Sequence, residues 1–276
     1  MIRKSGVLDL RNLLDYLVKM ENIKSIIELP GKGKALIVTD IHGNLSDFEK
    51  YMEIWENFKD KNNHLILTGD CIHTLSGGKD NSIKILESVV RHYEQEENFH
   101  VLLGNHEFSH VSGEDVHKSG INQTKRFKMY LELKFFSNWK HKLNFYINFF
   151  KKLPLAAKTK NGVFISHAAP VKNINDINDI INITDDGYVP HNEKLYQILW
   201  NRYPGDYNED DIDVFLEKVG CKFSVVGHTP VDGYKVIGNQ VVLSSSFGLG
   251  KKCYLELDLE KEISGVKDLV GMIKYL

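Results

Sequence analysis

An α/β fold built on a parallel sheet is what this sequence predicts, and three observations predict it. Short apolar runs recur, at Ala35-Leu36-Ile37-Val38, Leu65-Ile66-Leu67 and Val101-Leu102-Leu103, and each closes on a polar turn of Gly, Asp, Asn or His. Between them lie stretches whose apolar residues keep helical spacing. Three β-α units in succession imply right-handed crossovers and therefore parallel neighbours.

Taken in order, residues 7 to 29 set Leu10, Leu13, Leu14, Leu17 and Val18 at helical spacing and predict a leading helix or helix pair, broken by Pro30-Gly31. The first strand stops at Thr39-Asp40-Ile41-His42-Gly43-Asn44. The stripe Leu45, Phe48, Tyr51, Met52, Ile54, Trp55 and Phe58 predicts the helix that follows. Asp40 and His42 thus fall on a strand-to-helix loop, where open α/β sheets collect ligands. The second strand ends in Gly69-Asp70, and a Gly-rich loop, Ser76 to Asp80, leads into a helix from Ser82 to Glu96. The third ends in Gly104-Asn105-His106-Glu107.

Residues 121 to 152 predict a long aromatic-rich helical region that covers the core and turns its lysines to solvent, ended by Pro154. Leu155-Ala156-Ala157 and Val163-Phe164-Ile165-Ser166-His167, around a turn at Asn161-Gly162, predict a hairpin. Asn173 to Asn192 reads as a long irregular loop. A short helix holding Leu199-Trp200-Asn201-Arg202 follows, then another from Asp211 to Val219. Phe223 to Val226 before Gly227-His228 repeats the strand-then-His pattern, and successive antiparallel strands are expected through Leu259. No repeat, low-complexity tract or linker divides the chain. A single domain over 1–276 is expected, with a helical extension over 1–30 and a core over 34–259.

With 276 residues, 42% hydrophobic and 26% charged, the chain can bury a sizeable core. A net charge of -2 argues against a general nucleic-acid or membrane-surface binder. No stretch resembles a signal peptide or a membrane span. Cys71, Cys221 and Cys253 form no CxxC pair, which predicts a reduced, cytoplasmic protein.

The strand ends collect Asp40, His42, Asp70, Asn105, His106, His167 and His228. Each alone has an ordinary reading, a satisfied core histidine or a turn-forming Asp or Asn. Five strand ends closing in this way point to a shared site. Carboxylate, amide oxygen and imidazole together suit divalent Mn, Fe or Zn. A carboxylate shared by two ions lets them sit roughly 3.5–4 Å apart, the arrangement used for displacement at phosphorus.

The ordered set Asp40-x-His42-Gly43, Gly69-Asp70, Gly104-Asn105-His106-Glu107, Ser166-His167-Ala168 and Gly227-His228-Thr229 resembles the calcineurin-like metallophosphoesterases. Leu153-Pro154-Leu155-Ala156 and Leu199-Trp200-Asn201-Arg202 look like their phosphoprotein phosphatase branch, of bacteriophage and prokaryotic type. The resemblance implies a four-layer αββα sandwich with a dinuclear site between mixed sheets. It implies that Asp40 and His42 bind a first metal, that Asp70 bridges, and that Asn105, His167 and His228 bind a second. The ions implied are Mn, with Fe, Zn or Mg as alternatives, and a water between them attacks phosphorus. His106 would act as general acid with Glu107 as its support, and Arg202 would clamp the phosphate. Asn105, Arg202 and His73 are the residues expected on substrate. The implied function is a phosphomonoesterase of the serine/threonine phosphatase kind, acting on a phosphorylated protein or a small phosphate ester. A dinucleoside polyphosphate hydrolase and an inactive scaffold of the same fold are the alternatives. One departure stands out. Where the branch continues its Gly-Asp motif with a further Asp and Arg, this chain has His73 and Thr74. Either His73 brings a cation near phosphate, or Asp80 replaces the lost carboxylate.

Overall fold

The computed structural model describes residues 25–74, 79–118, 120–185, 187–189 and 191–276. The helix predicted around Leu10 to Val18 and the Ser76-Gly77-Gly78 part of the Gly-rich loop lie outside the described residues.

Two mixed sheets carry the fold. In the first, β2 (Lys34–Val38), β3 (His64–Leu67) and β4 (Phe99–Val101) run parallel as the three β-α units require. The strand β12 (Cys253–Asp258) adds antiparallel beside β2, and β13 (Ile273–Tyr275) closes that edge. The second sheet has the order β1 (Ile26–Glu28), β7 (Ala156–Lys158), β8 (Val163–Ser166), β9 (Phe223–Val226), β11 (Gln240–Leu243) and β10 (Tyr234–Ile237).

Strand alternation sorts the buried residues into layers. Ala35, Ile37 and Ile66 of the first sheet share one apolar cluster with Val163, Ile165, Val225 and Val241 of the second. Their neighbours Leu36, Val38, Leu65 and Leu67 point the other way. They join a cluster with Phe48, Tyr51 and Trp55 of α1 (Leu45–Phe58) and Leu86 and Val89 of α2 (Ser82–Gln95). On the far side, Phe164 of β8 meets Phe215 of α8 (Glu209–Val219) edge-on, ring centroids 5.1 Å apart. The stack is therefore helix, sheet, sheet, helix, an αββα sandwich.

Some segments depart from the sequence reading. Ile26–Glu28 was expected to end a helix and is instead the strand β1, parallel to β7. A β-branched pair beside an open sheet edge gains a backbone ladder there, which outweighs a weak helical period. The 121–152 region covers the core as expected, through Phe127, Leu131, Tyr146 and Phe150. It does so as two helices, α4 (Gln123–Phe135) and α5 (Trp139–Phe150), around a single 3₁₀ turn, Phe136–Asn138. The final strands are not one antiparallel series. After the β10–β11 hairpin the chain crosses between sheets to β12, with Thr39 N donating to Ser245 Oγ at 2.9 Å across the crossing. The long loop contains α6 (Asn178–Ile181) and borders a cavity of about 720 Å³ lined by residues such as Asn175, Asp179 and Lys194. None of the strand-end residues lines it. Among the described residues no helix is long and apolar enough to cross a membrane.

Candidate active site

Five strands deliver the predicted side chains. Asp40 and His42 follow β2, Asp70 follows β3, and His167 and His228 follow β8 and β9. Asn105 and His106 begin α3 (Asn105–Ser112), just beyond β4. Asp40, His42, Asp70 and His228 all have left-handed backbones, with φ of 44°, 48°, 53° and 62°. Such residues cost about 1–3 kcal/mol each and persist only where the surroundings over-determine them. The glycines before the ligands have a steric reason. A Cβ on Gly104 would overlap Asp70 Oδ1 and lie 2.6 Å from Glu107 Oε2, and one on Gly227 would overlap Asp40 Oδ2.

Backbone donors fix the carboxylates. Both oxygens of Asp40 accept from His228 N, at 3.0 and 2.9 Å. Asp70 Oδ1 accepts from His106 N at 3.0 Å, leaving Oδ2 for the centre of the site. Glu107 ties the loop after β3 by accepting from Asp70 N, Cys71 N and Ile72 N at 2.8, 2.9 and 3.3 Å. Burial and the neighbouring Asp70 charge push the Glu107 carboxyl up to about 8, against the pull of those amides.

The acceptors converge around Asp70 Oδ2. His42 Nε2, His167 Nε2 and His106 Nε2 lie 3.5, 3.6 and 3.9 Å from it. His42 Nε2 is also 3.9 Å from Asp40 Oδ1. Asp70 belongs to two groups with metal-ligating geometry, one with His42 and His106 and one with His167 and His228. His167 Nδ1–H donates to Thr68 O at 3.0 Å, so its Nε2 is a bare lone pair. That lone pair faces Asn105 Oδ1 at 2.9 Å, acceptor against acceptor, and His228 Nδ1 at 3.1 Å. The His228 proton has two places. On Nε2 it donates to Trp200 O, 3.1 Å away, and leaves Nδ1 bare; on Nδ1 it reaches His167, and Nε2 accepts from Arg202 Nε at 2.9 Å.

At most one proton therefore serves His167 Nε2 and Asn105 Oδ1. Buried lone pairs and carboxylates held this close repel one another unless a cation sits among them. The side chains fit divalent metal ions on that ground. Burial also holds the imidazoles in the neutral form that a metal requires: His42 is lowered to about 3, with the Lys118 charge adding to the effect, and His167 and His228 are lowered too. Burial raises Asp40, and burial with the Asp40 charge raises Asp70 well above the usual carboxylate range. A divalent cation would reverse both shifts.

Among the described residues, Arg202 and Lys118 are the cations that act on the carboxylates. Arg202 is exposed just past α7 (Glu193–Trp200) rather than inside it, and its backbone N–H donates to Asp206 Oδ2 at 2.7 Å. Lys118, half-buried on β5 (His117–Lys118), which pairs antiparallel with β6 (Ile121–Asn122), is the other, and the sequence reading missed it. Its ammonium feels the charges of Arg202, Asp70 and Asp40, which sets it beside the same cluster. A lone lysine in a short polar hairpin carries no sequence signal.

The residues at the departure have definite places. His73 is fully buried, not on the open site, and its Nδ1 lies 2.9 Å from His106 Nδ1. Its Nε2 lies 2.9 Å from His110 Nε2, a second residue the sequence reading missed. The i, i+4 spacing of His106 and His110 on one helix was the signal available. Asp80 does not replace the lost carboxylate: it accepts from Ser82 N at 2.9 Å and from Ser82 Oγ, whose oxygen accepts from His73 N at 2.8 Å. Neither expected role for the pair is met, because the His73 ring faces inward and Asp80 is committed to Ser82, the first residue of α2.

Comparison with known proteins gives the family and the fold. Residues 33–232 match the calcineurin-like phosphoesterase family. A protein serine/threonine phosphatase from Saccharomyces cerevisiae, with similarity to human phosphatase PP5, is 18% identical with a TM-score of 0.66, over 89% of this chain and 79% of that one. A cold-active protein-tyrosine phosphatase of the psychrophile Shewanella sp. is 15% identical with a TM-score of 0.58, over 91% of this chain and 82% of that one. At those identities the solved structures share the fold, while the family match spans most of the chain. The protein belongs to the calcineurin-like phosphoesterase family and is a phosphoester hydrolase.

Proposed function

We propose that the chain is a dinuclear, manganese-type phosphomonoesterase acting on phosphoserine or phosphothreonine in proteins. The observation that carries this reading is the convergence of bare acceptors on both sides of Asp70 Oδ2. His42 and Asp40 would hold one ion, Asn105, His167 and His228 the other, and Asp70 both. Two divalent cations held there would supply Lewis-acid charge and acidify a water.

The chain's own residues do the rest. Arg202 has the planar fork that suits a phosphoryl group, and Lys118 adds a second positive charge across the carboxylates, in a chain without the branch's usual arginine at Thr74. His106 Nε2 faces the site beside Asp70 and is the group in reach of a leaving oxygen. Thr68 O and Trp200 O orient the His167 and His228 rings. Cys71, Cys221 and Cys253 are free and buried, in keeping with a reducing cytoplasm.

A panel of phosphoserine and phosphothreonine peptides against dinucleoside polyphosphates, run with Mn, tests the reading. Higher kcat/KM on the peptides supports it. Turnover confined to the phosphoanhydrides would move the enzyme to the nucleotide-hydrolysing class, and no metal-dependent turnover of any ester would leave a scaffold.

A further inference from the structure

The three-imidazole chain behind the site has a direction, and its buried end sets it. His106 Nδ1, His73 Nδ1, His73 Nε2 and His110 Nε2 form two nitrogen–nitrogen contacts of 2.9 Å each. Each contact needs one proton, and three neutral rings carry three. Only two arrangements fit. In one, every ring donates toward His110, which puts an N–H on His110 Nδ1 and leaves His106 Nε2 bare. In the other, every ring donates toward His106, which leaves His110 Nδ1 bare and puts an N–H on His106 Nε2.

The surroundings of His110 choose between them. Its Nδ1 is buried without a hydrogen-bond partner among the described residues. Phe127 and Phe150 pack against the ring, with centroids 4.9 and 6.4 Å away. Orphaned buried N–H groups are rarer than under-satisfied acceptors, because a desolvated donor forfeits its bond to water with nothing in exchange. A bare nitrogen among aromatic rings is the cheaper end. The other end agrees, because His106 Nε2 lies 3.9 Å from Asp70 Oδ2, which attracts an N–H and repels a lone pair.

We propose that His73 and His110 are positioning residues that hold His106 as its Nε2–H tautomer, facing the metal-binding cluster. This tautomer explains a feature the ligand geometry alone leaves open. His106 lies within ligating reach of His42 and Asp70, yet a protonated nitrogen cannot bind a metal. The chain thus keeps His106 out of the coordination sphere and presents a hydrogen-bond donor to a substrate oxygen. A carboxylate at position 73 would do the opposite, since it can only accept, and would draw the His106 proton onto Nδ1.

The inference rests on the proposed role of His106 at the leaving oxygen, and the test separates the two. Nitrogen-15 NMR of metal-free protein labelled at histidine is expected to show His106 protonated at Nε2 in the wild type, and at Nδ1 in His73→Asp. His73→Phe keeps the ring packing but removes the acceptor and donor. It should lower the ratio of phosphoserine-peptide to p-nitrophenyl phosphate turnover by about tenfold or more. In a His106→Asn background the same change should cost nothing further, because the two act as one unit. His73→Asn can still donate to His106 and should restore part of the ratio. An Nδ1-protonated His106 in the wild type, or equal loss on both substrates that adds to His106→Asn, would overturn the proposal. If His106→Asn itself fails to separate the two substrates, the fault lies in the role given to His106 and the NMR result still decides the tautomer.

Discussion

Among the described residues, two clusters bring histidine and carboxylate within metal-ligating distance, and they differ in what surrounds the acceptors. Around Asp70, His42, His167 and His228 face carboxylate and amide oxygens at the ends of buried strands. On the outer helices, Glu56, His92 and Glu96 come equally close. There Glu96 already receives protons from Trp55 Nε1 at 2.8 Å, His92 Nδ1 at 2.9 Å and Lys59 Nζ at 3.4 Å. Glu56 is paired with Lys59 at 2.8 Å. The outer cluster is a satisfied ion-pair network on α1 and α2, whereas the inner one has more lone pairs than protons. Proximity of ligand types is common to both; the deficit of donors is what marks a metal site.

The sharpest way to break that comparison is to neutralise the shared carboxylate. Asp70→Asn should weaken both ions together and lower turnover by about three decades or more, since the Lewis-acid contribution is several kcal/mol. Glu96→Gln should leave kcat/KM where it was. Steady-state kinetics of the two variants on one ester decides the matter, and a large loss in the outer variant would mean the comparison is misdrawn.

Next in size is the substrate clamp. Arg202→Ala should cost about one to two decades in kcat/KM with metal content intact, the worth of a charged, bidentate contact of roughly 1.5–3 kcal/mol. Arg202→Lys should recover little of it, because an ammonium lacks the fork. Wild-type kinetics in the alanine variant would return Arg202 to an ordinary exposed arginine. Lys118→Met should show a smaller loss with the same signature, checked by the same kinetics.

The sequence made the inner cluster legible and left its supports obscure. All seven strand-end residues come together because apolar runs fix strands, and the polar residue after each must leave the sheet at the same edge. Asp40-x-His42, Gly69-Asp70 and Gly227-His228 are local patterns, and the last two include glycine because a Cβ on Gly69 would overlap Gly104 and one on Gly227 would overlap Asp40. Contacts between distant segments left no such trace. Nothing local says that His73 meets His110 across thirty-seven positions, that the Lys118 charge reaches Asp70 and Asp40, or that β12 crosses to pair with β2. The strand β1 was misread for the same reason, since its partner β7 lies far along the chain.

The smallest expected effect concerns stability at the outer cluster. Burial raises the Glu96 carboxyl, but the bonds from His92, Trp55 and Lys59 outweigh it and hold the group below its usual 4.5. A depressed carboxyl stabilises the fold above the unfolded-state value, and that contribution is lost as pH falls through the folded-state value. Glu96→Gln should therefore lower stability by about 1 kcal/mol or less at pH 7. The difference from wild type should shrink as the pH falls from about 4.5. Thermal melts at the two pH values measure it, and a gap that widens in acid would contradict the sign.

The central claim is a pair of divalent ions bridged by Asp70, and metal analysis of active protein tests it most directly. Wild-type enzyme loaded with Mn, freed of excess metal and still hydrolysing an ester should retain two ions per chain. Chelation should abolish its turnover, and Mn should restore it at least as well as Mg. Asp70→Asn should retain neither ion firmly. Full activity with at most one ion per chain would contradict the account.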